Sequence, residues 1–349
     1  MTIFFIKINM EYIKRFFLLG FILIVYISCQ KESDQQIKWE SFNLNYHGDF
    51  SDIVALQNDT LMLLSSLDST FQKTCIFESD DAGITWSRRC FDKLVIGGFS
   101  NFYCFNHLKI FAGNYRSYDG GNNWQMVGDF AGSLMHFFNN DIGIAFSGFS
   151  IYKTFDGGNS FIIVYDTTSY VNCQFVQFLN NQVGYASGGA SFDNFNSGVI
   201  LKSTDGGDTW ESLPGTFKSI IGMSFITTEV GFIIINLYEG DIISSYKEGA
   251  ELLRTTDGGK TWKSINNQLY DLFNIIPWGC YFSDERHGYI YGSTLNGSKI
   301  LSTSDGGQRW KEEYTSPTNE SVLTKIIFTS SEGGYAVGKN GLFLKRIKY

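Results

Sequence analysis

Ser203-Thr204-Asp205-Gly206-Gly207-Asp208-Thr209-Trp210 decides the fold, because the chain repeats it. Five further copies of the pattern Ser/Thr-x-Asp-x-Gly-x-x-Trp/Phe stand at Ser79–Trp86, Ser117–Trp124, Thr154–Phe161, Thr255–Trp262 and Thr303–Trp310. Each position has a mechanical reason. The Asp carboxylate accepts backbone N–H groups of its own turn. The Gly two residues on supplies a positive φ, and the closing aromatic opens the next strand with a large apolar area to bury. Recurrence at intervals of tens of residues means stacked supersecondary units. Asp81, Asp119, Asp156, Asp205, Asp257 and Asp305 are therefore read as structural, since an active site needs one asymmetric cluster rather than a copy in every unit.

A second phrase runs in step with the first. An aromatic, a short polar turn and a Gly-aromatic or Gly-aliphatic pair recur as Phe178…Gly184-Tyr185-Ala186-Ser187-Gly188, Phe225…Gly231-Phe232, Phe282…Gly288-Tyr289 and Phe328…Gly334-Tyr335-Ala336-Val337-Gly338, with Phe138…Gly143-Ile144 as a weaker copy. These read as the first hairpin of each unit. The eight-residue motif resembles the Asp-box, or bacterial neuraminidase repeat, of β-propellers. Sialidases, sortilin-type ectodomains and xyloglucan-cleaving glycosidases carry it. The pairing of both phrases is most similar to the photosystem II stability/assembly factor group. That resemblance implies a propeller with the motif between the third and fourth strands of a blade, on the face away from the usual active site. It also implies chaperone-like contact with another protein. The chain shows no basic cluster to mirror the Arg patch on that group's binding face.

Six motifs imply seven blades. The chain ends on Gly341-Leu342-Phe343-Leu344-Lys345-Arg346, which aligns with a third strand that no motif follows, while Ile37-Lys38-Trp39-Glu40-Ser41-Phe42 reads like the fourth strand Asp208-Thr209-Trp210-Glu211-Ser212-Leu213. The N-terminal segment thus supplies the outer strand of the last blade and closes the ring, which also covers a strand edge. The expected fold is an all-β, seven-bladed β-propeller over 37–349, with no sustained helical period.

Residues 1–28 read as a lipoprotein-type signal peptide and 29–36 as a polar tether. Lys14 and Arg15 precede an apolar run, Phe16 to Ile27, that is short for a membrane span, and translation from Met10 gives a more conventional signal. Tyr26-Ile27-Ser28-Cys29 resembles a lipobox and makes Cys29 the lipidation residue; ordinary secretion is the alternative. The location expected is the cell envelope, lipid-anchored to the outer membrane and, by the acidic tether, at the cell surface. Cys75 and Cys90 flank the first motif symmetrically, so a disulfide in an oxidising compartment and two separate thiols are both open. Cys104, Cys173 and Cys280 read as buried small apolar residues.

Removing residues 1–28 takes away Lys7, Lys14, Arg15 and Glu11, leaving 24 basic against 34 acidic residues. Such an acidic domain argues against nucleic acid as a partner. No CxxC or clustered His points to a metal, and no cofactor or catalytic residue is assigned. Sialidase chemistry would require three Arg converging on a carboxylate. The Arg-Ile-Pro phrase is missing, and Arg116, Arg254, Arg309 and Arg346 belong to the motifs or their equivalents. If the chain is an enzyme, a glycoside hydrolase with two carboxylates is the class left open. The primary expectation is a protein-binding or assembly-scaffold module, with a glycan as the alternative ligand.

Recognition is expected on the face carrying the fourth-to-first and second-to-third strand loops. The long loops 189–197 and 238–248, with 266–273, bring together Phe192, Phe195, Tyr238, Tyr246 and Tyr270 with Asp193, Glu239, Asp241 and Asp271. Aromatics among carboxylates suit a basic or apolar peptide, or a stacked sugar. The competing reading folds these rings back as small cores under their own loops.

Overall fold

The computed structural model describes residues 37–348 apart from 57–58, 66–72, 93–101, 113–114, 128–133, 148–149, 167–170, 191–197, 216, 238–248, 268, 270–272, 318–321 and 331–332. These residues build seven four-stranded sheets, the blades of a β-propeller. Blades 1 to 6 take consecutive quartets of strands, beginning at Phe50–Ala55, Phe102–Cys104, Leu134–Phe137, Val171–Phe178, Ile220–Phe225 and Ile276–Phe282. Blade 7 joins Leu323–Phe328, Gly334–Gly338 and Leu342–Lys348 to Ile37–Asn43, its outermost strand. Contacts gather Trp39–Ile347 into one unit; of the other, residues 1–38 with 348–349, only Ile37, Lys38 and Lys348 are described.

The ring closes as the sequence implies. Trp39 meets Phe328 edge-on at 5.9 Å, Phe42 packs on Phe343, and Gly341 N–H donates to the Gly48 carbonyl at 2.7 Å. The chain therefore enters blade 7 at the end where its first hairpin turns and leaves at the opposite end. Trp39 also donates through Nε1 to Glu313 of blade 6 at 3.1 Å, and the same carboxylate takes Arg346 Nε and Nη2 at 3.1 and 3.0 Å. Three chain segments remote in sequence meet on one half-buried acid.

The first hairpins explain the second phrase. Phe178, Phe225, Phe282 and Phe328 stand directly opposite Gly184, Gly231, Gly288 and Gly334 across the strand pair. Each ring lies over its glycine; a Cβ at Gly288 would sit 2.4 Å from the Phe282 ring. In blade 3 the partner of Gly143 is Phe137, one residue before the expected Phe138, whose ring instead packs on Phe178 of blade 4 at 4.8 Å. The blade cores then stack face to face, with Tyr185 on Phe225 and Phe232 on Phe282.

All six repeated turns adopt one geometry. In the first, Asp81 Oδ1 accepts Thr85 N–H at 2.8 Å and Oδ2 accepts its hydroxyl at 2.6 Å, while Ser79 Oγ accepts Gly83 N–H at 2.8 Å. Gly83 has φ +86°. The Thr85 hydroxyl, then its N–H, hold the Asp81 carboxyl down to about 2. The other five Asp carboxyls are likewise lowered to about 2. Two closing aromatics wedge against the preceding blade, Trp86 on Phe343 and Trp124 on Phe91, and Trp310 meets Phe282 of its own blade.

Candidate functional site

The two faces of the ring differ chemically. On one face every repeated turn bonds to the first-hairpin turn of its own blade, for example through Gly120 N–H to Leu108 carbonyl and Gly306 N–H to Arg286 carbonyl, both within 3.0 Å. Cations on the third strands reach across to the next blade. Arg116 holds the Gly158 carbonyl, Lys153 the Gly206 carbonyl and Asp208, and Lys345 the Ala82 carbonyl. Arg89 pairs with Glu78, Arg254 with Glu285, Arg309 with Asp305 and Arg346 with Glu313. Arg116, Arg254 and Arg346 are engaged at joints between blades, and Arg89 and Arg309 within their own blades, so these five are not gathered on one substrate carboxylate. The Asp carboxylates of the turns accept hydrogen bonds from their own turns.

Toward the other face, where the second-to-third and fourth-to-first connections lie, the first strands come together. First strands of successive blades contact one another round most of the ring. Side chains clasp them to the neighbouring backbone: Thr324 to Phe50, Asp52 to Phe102, Tyr103 to Phe137, Gln177 to Phe225 and Ser224 to Phe282. Asp52 is the charged member of this set. It accepts Ile53 N–H at 2.8 Å and Phe102 N–H at 3.3 Å, and Lys325 Nζ of blade 7 stands 3.7 Å from its Oδ1. Burial pushes the Asp52 carboxyl up, against the pull of Lys325 and the two N–H groups. The Asp52 charge in turn raises Lys325.

Lys325 keeps 42% of its side-chain surface exposed. At 3.7 Å its contact with Asp52 is an ion contact longer than a good hydrogen bond. The ammonium therefore keeps hydrogen-bonding capacity for an incoming acceptor. Both residues sit nearer the loop end than the turn end of their strands, since Leu323 and Phe50 begin those strands opposite Gly338 and Ser65. Tyr291, from the second strand of blade 6, adds a phenol whose pKa burial raises. Asp52, Lys325 and Tyr291 make a compact polar spot inside an apolar ring.

The remaining reactive groups are quiet. Cys104 is buried, and burial, with Asp52 and Glu78 behind it, pushes its thiol far up. Cys173 and Cys280 are half-buried rather than fully buried, and both thiols are pushed up to about 12 by desolvation. They are poor nucleophiles at neutral pH. His136 lies stacked on Phe178 at 4.8 Å, and burial lowers it to about 4, so the imidazole is neutral. Among the described residues no group of three or more His, Cys, Asp or Glu is placed to hold a metal ion. Cys75 and Cys90 pair directly across the third and fourth strands of blade 1 and are joined as a disulfide.

Phe192, Asp193, Phe195, Tyr238, Glu239, Asp241, Tyr246, Tyr270 and Asp271 lie outside the described residues, as does Cys29. Sequence reasoning passed over Asp52 and Lys325. A carboxylate inside the apolar run Phe50-Ser51-Asp52-Ile53-Val54-Ala55 was the signal available, since strand interiors exclude Asp unless it is partnered.

No protein-family model matches the chain, and no curated protein matches it in sequence. Among solved structures it is similar to YCF48 bound to a D1 peptide, at 16% identity and TM-score 0.63, over 88% of this chain and 96% of that one. YCF48 from Cyanidioschyzon merolae follows at 19% identity and TM-score 0.62, over 88% and 98%. An ancestral GH74 enzyme reaches 15% identity and TM-score 0.63, over 88% of this chain and 46% of the enzyme. At these identities the likeness is one of fold.

Proposed function

We propose that this chain is a lipid-anchored module of the bacterial cell envelope that binds a protein or peptide at the loop face of an Asp-box propeller, as an assembly scaffold. The observation that carries the reading is the Asp52–Lys325 pair. It presents one acceptor and one donor at the loop end of the axis, the complement of a peptide group. The similarity to YCF48, one structure of which holds a D1 peptide, supports the same ligand class. Glycosidic hydrolysis ordinarily uses two carboxyl groups flanking the scissile bond, and the charged group beside Asp52 is a lysine. Among the described residues Lys325 is the charge that acts on Asp52. Glycan binding or hydrolysis, favoured by the GH74 likeness, is the second reading.

The test is affinity capture from detergent-solubilised envelopes with the full chain and with a double variant, Asp52→Asn with Lys325→Met. Replacing both charges avoids leaving one buried and unpaired. An envelope protein recovered with the parent and lost with the double variant, at unchanged melting temperature, is the expected result. Equal recovery by both, or retention of polysaccharide alone in a parallel binding and hydrolysis screen, would set the scaffold reading aside.

A further inference from the structure

The exposed apolar side chains are distributed unevenly round the ring. Among the described residues eight large hydrophobic side chains are exposed, and seven of them belong to blades 1 to 3. Four stand at the tips of the turn face: Ile84 in blade 1, 72% exposed, Leu108 and Tyr118 in blade 2, and Phe155 in blade 3, 55% exposed. The tips are neighbours. Tyr118 Oη donates to the Gly157 carbonyl of the next turn at 3.0 Å, and Arg89 of blade 1 reaches Asn122 beside it. Met126, Ile162 and Ile163 continue the surface where the outer strands of blades 2 and 3 leave these turns.

The turn chemistry does not require these residues. Where blade 3 has Phe155 and blade 2 Tyr118, blades 4 to 6 have Thr204, Thr256 and Ser304; where blade 1 has Ile84, they have Asp208, Lys260 and Gln308. The same local fold is thus built with polar tips on one side of the ring and apolar tips on the other. Apolar side chains kept exposed on three adjacent blades at such a cost to solubility mark a contact surface.

The path of the chain says what covers it. Trp39 enters blade 7 at the turn-face end, and blade 7 adjoins blade 1 through Lys345 and the Ala82 carbonyl. From Cys29 to Trp39 the backbone spans at most roughly 35 Å. An acyl group on Cys29 would tether the chain from the turn-face end of blade 7. We infer that the turn face of blades 1 to 3 rests on the membrane surface, with Ile84, Leu108, Tyr118 and Phe155 entering the interface of a zwitterionic phospholipid layer. Aliphatic side chains and amphipathic aromatic rings suit that depth. With residues 1–28 removed the chain has 24 basic against 34 acidic residues, which favours zwitterionic over anionic headgroups. The inference rests on the lipoprotein reading, and it points the Asp52–Lys325 face away from the membrane.

The test uses the full chain, processed in cells and reconstituted into phosphatidylcholine vesicles with brominated acyl chains, which quench nearby indoles. Phe155→Trp and Leu295→Trp place an added indole on the two faces at exposed tips, Leu295 lying in the second-to-third connection of blade 6. Unchanged melting temperatures establish that both variants fold. The expected result is a loss of about half of the added emission at position 155 and none at 295, for an interfacial depth of roughly 5–10 Å. Quenching at 295, or at neither position, would overturn the inference. So would an envelope protein captured by the parent and lost on Ile84→Asn with Phe155→Asn, because the patch would then belong to that protein. Mass spectrometry of the N-terminal peptide separates the two readings. An acylated Cys29 with no quenching at 155 leaves the anchor and removes the orientation, whereas an unacylated chain removes both.

Discussion

Substituting Glu313 by Ala should open the ring at its seam. Its carboxylate is the common acceptor for Arg346 and for Trp39 Nε1, with all three contacts at 3.0–3.1 Å. Arg346 is buried, and its guanidinium lies 4.8 Å from the centre of the Tyr289 ring. Removing the acid strips a desolvated cation of its counter-charge, a loss of about 3–5 kcal/mol in comparable sites. The indole N–H loses its acceptor as well, worth about 1 kcal/mol. Allowing for relaxation, the expected cost is about 4 kcal/mol, or a fall in Tm of roughly 6 °C for a chain of this length. Calorimetry and urea unfolding measure it, with hydrogen exchange following the amides of Ile37–Asn43. Trp39→Phe keeps a large ring and loses only the donor, so it should cost about 1 kcal/mol. Glu313→Leu combined with Arg346→Met removes both charges and should recover most of the loss. A fall below about 2 °C for Glu313→Ala, or a double variant worse than the single, would refute the idea that the ion pair of buried Arg346 with Glu313 fastens the N-terminal strand.

Deleting residues 37–42 should remove the outer strand of blade 7 and unfold the chain in one cooperative transition; an unchanged Tm would reject the closure. Opening the Cys75–Cys90 bridge frees a loop with a sequence separation of 15 residues and should lower stability by about 3 kcal/mol, read as a shifted urea midpoint in Cys75→Ala with Cys90→Ala. Acid should act in two windows. His136 is lowered from the ordinary 6.5 to about 4, so the unfolded chain binds a proton that the folded one refuses. Its contribution is complete above pH 6.5 and declines as pH falls toward 4. The six turn carboxyls are lowered from 3.8 to about 2, so their contribution holds above about pH 4 and is lost as pH falls through about 2. The urea midpoint of the parent should therefore fall in both windows, and that of His136→Phe in the lower one alone; a flat profile between pH 4 and 2 would contradict the turn geometry.

The parts of the molecule that were legible in sequence are those whose chemistry is local. Asp, Gly and Trp each do their work within one eight-residue turn, so six copies announce six turns, and Trp39 announces a fourth strand without its turn. The Phe–Gly register was legible for the same reason, except in blade 3, where two adjacent phenylalanines, Phe137 and Phe138, left the choice to packing against Phe178. The Glu313–Arg346–Trp39 joint and the Asp52–Lys325 pair were not legible. Each brings together residues from different blades, and the separation of Asp52 from Lys325 leaves no periodic trace. Tyr118, Phe155 and Ile84 were visible as departures from the consensus once the six copies are laid over one another. The sequence reading weighed only what the copies share. The nine loop residues singled out for recognition lie outside the described residues.

Recognition at the loop face is most directly tested by photo-crosslinking in intact cells from one exposed position on each face. Benzoylphenylalanine in place of Asn296 reports on the loop face, and in place of Gln308 on the turn face. The expected result is a single envelope protein joined to the chain from position 296 and none from 308. A protein partner joined from position 308 alone, or no product from 296, would contradict the account.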